Sequence, residues 1–209
     1  MGCMTTNLEV LVMESHHGTA EQVITDLQGA GHQVHGCYDT GDQGFPCKGV
    51  EDPASCPIAQ GLDVAVVVRR DVVPRPTALE AGVRCALRAG LPLVEQGTPV
   101  LDPYAPWLTR RVDIDGDVPN ACVNAVDAGF ASLRGHIERQ CVRLMARAGH
   151  VGPLQCDIQR QGRKLHVQLT GPAVGKDVEQ AISVRVLDAV RVDGRTHPQV
   201  DVSYTVAAV

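Results

Sequence analysis

The sequence predicts an α/β protein: a parallel sheet built from β-α-β units, followed by a smaller α+β module of order α-β-β-α-β. Three observations carry the prediction. The opening segment, Leu8 to Cys37, reads strand, helix, strand with short connections, which parallel pairing requires. Leu62 to Val68 is an almost continuous apolar run, as expected of a strand buried on both faces. From about Pro119 the pattern changes to one long helix, a hairpin, a second helix and an alternating strand.

Taken in order, Leu8 to Met13 is the first strand, and the turn Glu14-Ser15-His16-His17-Gly18 follows it. Thr19 to Ala30 places Ala20, Val23, Ile24 and Leu27 at helical spacing, with Gly31 as the stop. Gln33 to Cys37 is the second strand. Gly36 to Gly61 is rich in Gly, Pro, Asp and Cys and lacks an apolar period, so a long loop is expected there. After the third strand and a connection with two prolines, Thr77 opens a helix to Ala89, with Glu80 completing a capping box and Gly90 ending it. Leu91 to Glu95 is the fourth strand, and Arg111 to Ile114 is a short fifth strand. A helix from about Pro119 to Ala148 leads into a hairpin of Leu154 to Gln159 and Leu165 to Leu169 around Gln161-Gly162. Asp177 to Val190 is the last helix, and Val200 to Val206 an edge or half-buried strand. The expected division is residues 1–118 and 119–209.

Composition bounds the function. The 209 residues carry 44% hydrophobic and only 3% aromatic side chains, so Val, Ala and Leu must fill the core. The net charge of −5 argues against a nucleic-acid partner, which a basic face would favour. The apolar runs fall far short of the roughly 20 residues that span a bilayer. Met1 to Asn7 lacks the basic-then-apolar pattern of an export signal, so a cytoplasmic protein is expected. Arginine outnumbers lysine sixteen to three, the bias of a GC-rich bacterial genome.

Eight cysteines stand out, and in a reducing compartment clustered cysteines point to metal binding or redox work rather than structural disulfides. Cys37, Cys47 and Cys56 lie on the loop at 36–61. Pro46 precedes Cys47 and Pro57 follows Cys56, fixing backbone beside each thiol. Gly41, Gly44 and Gly49 allow the loop to wrap closely. Zinc takes four ligands and iron–sulfur clusters are held by cysteines. Cys85, on the helix after the third strand, is the expected fourth ligand, with His32 or His35 as substitutes. One difficulty is geometric: Cys37 leaves the top of the sheet, whereas Cys56 and Cys85 lie nearer its bottom, so the loop must fold back. A reversible thiol switch, or buried cysteines acting as small hydrophobes, remain open as alternatives. Cys122, Cys141 and Cys156 are expected in the core, and Cys3 in the tail.

The element order and the strings LVMESHHGTAEQVITDLQGAGHQV and LDVAVVV resemble the flavodoxin-like receiver domain of bacterial response regulators, over roughly Leu8 to Ala148. That resemblance implies carboxylates at the ends of the first and third strands that hold Mg²⁺ and accept a phosphoryl group. Here Ser15 follows Glu14, and Arg69 and Arg70 follow the third strand. Glu95 and Gln96 stand where a hydroxyl belongs, no lysine follows the fifth strand, and Asp71 lies beyond the strand end. A pseudo-receiver without aspartyl phosphorylation is therefore expected. Arg69 and Arg70 are read as solvated loop arginines, one pairing with Glu14, with anion binding as the alternative. His16 and His17 sit on the loop where such folds place ligands, though surface histidines are the plainer reading.

In the second module, GRKLHVQLTGPA and AISVRVLDAVR resemble the BON module and the ferredoxin-like tail of cation-efflux proteins. Those resemblances imply partner binding or dimerisation, here through the strand Val200 to Val206 and the apolar Ala207-Ala208-Val209. No catalytic residue is assigned. The function expected is that of a non-enzymatic regulatory or sensory protein with a cysteine-ligated metal or iron–sulfur centre. Alternatives are an assembly protein with a structural zinc staple and an electron-transfer component.

Overall fold

The computed structural model describes residues 7–39, 46–70, 75–97, 102–161, 164–193 and 199–207. Cys3, Gly41, Gly44, Asp71, Gly162, Ala208 and Val209 lie outside them. The chain divides into two compact units, Met1–Gly129 and Phe130–Val209. The division falls within one helix rather than at its start.

In the first unit, β1 (Glu9–Glu14), β2 (Gln33–His35), β3 (Val64–Val68), β4 (Leu93–Gln96) and β5 (Arg110–Val112) form one sheet in the order β2-β1-β3-β4-β5. Every pairing is parallel. This is the flavodoxin-like order. β3 is central and all five of its residues are buried, which explains its unbroken valine-rich run. Each such side chain contributes on the order of 1.5–3 kcal/mol by leaving water. The helix α1 (Glu21–Gly29) buries Val23 and Leu27.

The segment expected to be an irregular loop is in fact a chain of short helical turns. It contains α2 (Lys48–Glu51), a 3-10 turn at Pro53–Ser55 and α3 (Pro57–Gln60). Their brevity hid them, because four residues are too few to show a 3.6-residue apolar period. Local chemistry builds them instead: Asp52 accepts from the Ala54 N–H at 3.1 Å and the Ser55 hydroxyl at 2.7 Å, and Pro53 and Pro57 open helical turns. The helix expected from Thr77 begins as a 3-10 turn, Ala78–Glu80, before α4 (Gly82–Arg88). Glu80 accepts from the Thr77 N–H at 2.6 Å, half of the expected capping box.

The helix α5 (Val118–Arg147) runs from the first unit into the second. In the second unit, β6 (Gln155–Gln161) pairs antiparallel with β7 (Lys164–Gly171), and β7 pairs parallel with β8 (Gln199–Val206), after α6 (Lys176–Val192). Leu165, Val167 and Leu169 of β7 are buried together with Ile137, Met145, Ile182 and Val186 of the helices. Among the described residues, no helix is long and apolar enough to cross a membrane.

Candidate metal centre

The three loop cysteines reach one region because the chain folds back on itself. β2 ends at His35, and the Lys48 N–H then donates to the Cys37 carbonyl at 2.9 Å, which sets Cys47 beside Cys37. Cys47 and Cys56 stand at the starts of α2 and α3, both in extended backbone. Gly49 on α2 lies against Cys56: a Cβ there would stand 3.1 Å from the Cys56 sulfur. A Cβ on Gly82 would meet the Cys37 sulfur at 2.7 Å and the Met13 sulfur at 2.9 Å. Cys37 therefore packs on the start of α4, the helix that carries Cys85 one turn later.

The electrostatics agree with this placement. Burial pushes the Cys37 thiol up to about 12, and repulsion from Cys47, Cys56 and Cys85 pushes in the same direction, while Lys48 opposes them. Cys47, Cys56 and Cys85 each lie within electrostatic reach of Cys37. They are not a finished cage: among the described residues, no three His, Cys, Asp or Glu side chains are arranged to hold a metal ion. Cys37 is buried, Cys47 and Cys56 are half-buried, and Cys85 is exposed.

The histidine substitutes have other partners. His32 is buried, and its Nδ1 accepts from the Leu8 N–H at 3.2 Å. His35 Nε2 lies 2.5 Å from Glu9 Oε2. Sequence reasoning missed Met13 and Gly82 as neighbours of the thiols. Lys48, which also pairs with Asp39 at 2.6 Å, was signalled only by its position next to Cys47. Cys122, Cys141 and Cys156 are buried, and burial raises each thiol.

At the carboxyl edge of the sheet, the reading of Arg69 as a solvated arginine paired with Glu14 is overturned. Arg69 is fully buried, with Nε 2.8 Å from Glu80 Oε1 and its guanidinium carbon 5.5 Å from the Tyr104 ring centre. The Arg69 N–H donates to the Gln96 carbonyl at 2.8 Å, so the residue continues the sheet ladder rather than entering a loop. Gly97 makes that possible: its φ is +137°, and a Cβ would collide with the Arg69 carbonyl. Glu14 instead accepts from the Ala20 N–H at 3.0 Å, at the start of α1. Buried Glu95 pairs with Arg111 at 3.1 Å. Arg70 is exposed. His16 and His17 are exposed too, and His17 Nδ1 lies 3.8 Å from Glu14. A cleft of about 560 Å³ beside them is lined by Glu14, His17, Glu21, Tyr38 and Lys48 among others.

No family model and no curated protein sequence matches this chain. A solved structure of Era in complex with MgGDPNP and nucleotides 1506-1542 of 16S ribosomal RNA aligns with 97% of this chain and 94% of its own, at 11% identity and a TM-score of 0.34. A variant of Era from Aquifex aeolicus bound to GDP.AlF4- aligns over the same shares at 10% identity and a TM-score of 0.34. Likenesses of this size carry no argument, and the fold stands on its strand order.

Proposed function

We propose that this chain is a non-enzymatic regulatory or sensory protein whose first unit binds a metal ion or iron–sulfur centre through Cys37, Cys47, Cys56 and Cys85. The observation that supports the reading is the approach of Cys47, Cys56 and Cys85, on α2, α3 and α4, to Cys37 at the exit of β2. The buried Cys37 thiol, raised to about 12 by burial and by repulsion from the other three, remains protonated and a poor nucleophile. A bound cation reverses that balance, because its charge offsets the repulsion and it takes thiolates directly. Four sulfurs are the number that tetrahedral zinc and iron–sulfur clusters take. Lys48 supplies a positive charge beside a centre that would carry a net negative one.

The regulatory half of the reading is supported by the carboxyl edge. Arg69 occupies the place after β3 where the receiver resemblance implies an aspartate, and Glu80 neutralises it within the fold.

Anaerobic purification followed by metal and sulfide analysis tests the proposal. Iron with acid-labile sulfide and visible absorbance identifies a cluster, and one zinc per colourless chain identifies a structural staple. Cys47→Ser and Cys56→Ser should each abolish the centre. A protein that takes up neither zinc nor a reconstituted cluster, with melting temperatures unmoved in both variants, refutes it.

A further inference from the structure

We infer that the buried end of the thiol group selects copper(I) over zinc, holding the ion between the Met13 thioether and the thiolates of Cys37 and Cys47. This rests on the metal-binding reading above and adds to it the identity of the ion and a sulfur that is not a cysteine.

The register of the sheet brings the first two sulfurs together. β1 and β2 run parallel with Leu11 opposite His35. Two residues further along each chain come Met13 and Cys37, and both join Leu11 in the buried cluster with Val83 and Leu93. Met13 is 1% exposed and Cys37 7%. A Cβ on Gly82 would stand 2.9 Å from the Met13 sulfur and 2.7 Å from the Cys37 sulfur, so both sulfurs border the same small space. α4 crosses them at a glycine, which leaves that space to them. Cys47 packs against the same cluster and is only half-buried, which gives an ion a way in from the surface. The bond from the Lys48 N–H to the Cys37 carbonyl, at 2.9 Å, keeps Cys47 next to Cys37.

The donor set separates the two ions. Zinc takes four ligands, drawn from Cys, His, Asp and Glu. Among the described residues, no three such side chains already stand around one point. Copper(I) is satisfied by two or three sulfurs, and as a soft ion it accepts a thioether as readily as a thiolate. Methionine also has the rotational freedom to turn its sulfur onto an ion. Cys37 and Cys47 each release one proton as the ion binds. The thioether releases none and adds no charge. Copper(I) with two thiolates therefore keeps a single net negative charge, where zinc with four thiolates keeps two. In an apolar cluster the smaller charge costs less. Lys48, next to Cys47, offsets it.

The test uses the full chain, reduced and under anaerobic conditions, with its methionines replaced by selenomethionine and copper(I) supplied as the bicinchoninate complex. Selenium-edge X-ray absorption should show a copper atom at bonding distance, and loading with zinc should show no metal there. Met13→Leu, a volume-conserving change in a packed core, should lose the copper–selenium signal and hold copper(I) at least about tenfold less tightly. If Met13→Leu does not fold, the Met4→Leu Met145→Leu double variant decides in its place, and it should keep the signal. No copper at selenium, loss of the signal in that double variant, or a folded Met13→Leu that keeps wild-type copper(I) affinity overturns the inference. Zinc or a cluster held by the cysteines, with no copper at selenium, overturns it and leaves the proposed function standing. A chain that takes up none of the three overturns both.

Discussion

Arg69 and Glu80 meet at the end of β3 with Nε 2.8 Å from Oε1, and neither side chain is exposed to solvent. A guanidinium without water depends on its partner's charge. Glu80→Gln keeps an acceptor for the Thr77 N–H and removes that charge. Breaking a buried pair from one side costs about 3–5 kcal/mol. Glu95 also acts on Arg69, so a loss of about 3 kcal/mol is expected in urea unfolding.

The same cluster sets a pH dependence of unusual sign. Burial raises the Glu95 carboxyl above its ordinary value, while Arg111 and Arg69 lower it and Glu80 raises it further. The folded state then holds the proton more readily than the unfolded state. That contribution to stability is fully present below the ordinary carboxyl value and is lost as pH rises through the raised one. The stability of wild type relative to Glu95→Gln should therefore fall as pH climbs from the ordinary carboxyl value toward neutrality. Urea midpoints of both proteins across that range check it, and a difference that grows with pH contradicts it.

The thiols should react in the order of their accessibility and charge. Cys37 is buried and pushed up to about 12, so without metal it should resist iodoacetamide at neutral pH. Cys85 is exposed and should be alkylated first. Mass spectrometry of the chelator-treated chain reads the order, and under the proposed function added zinc should protect Cys47 and Cys56.

Gly82 is a packing position. A methyl group there meets the sulfurs of Cys37 and Met13 within 3 Å. Gly82→Ala gains helix propensity of about 1 kcal/mol, against about 1–3 kcal/mol for overpacking. The melting temperature should fall, and metal content should fall with it because Cys37 must move.

The carboxyl edge shows why part of this protein was legible and part was not. The strand character of Val64–Val68 follows from its valines, because a run apolar on both faces must be buried on both. Arg69 comes immediately after, and no sequence rule says that a guanidinium there enters the core. Its burial depends on Glu80, eleven positions on, and on Tyr104, both brought in by connections whose course is a tertiary matter.

The sequence by itself determined the alternation of strands and helices, the parallel sheet and the four cysteines as the chemistry worth following, because periodicity and residue type are local properties. The burial of the Arg69–Glu80 pair and the approach of Cys47, Cys56 and Cys85 to Cys37 were decided only by the tertiary structure. Each depends on residues far apart in the chain meeting in space, where excluded water and neighbouring charge set what a side chain is worth.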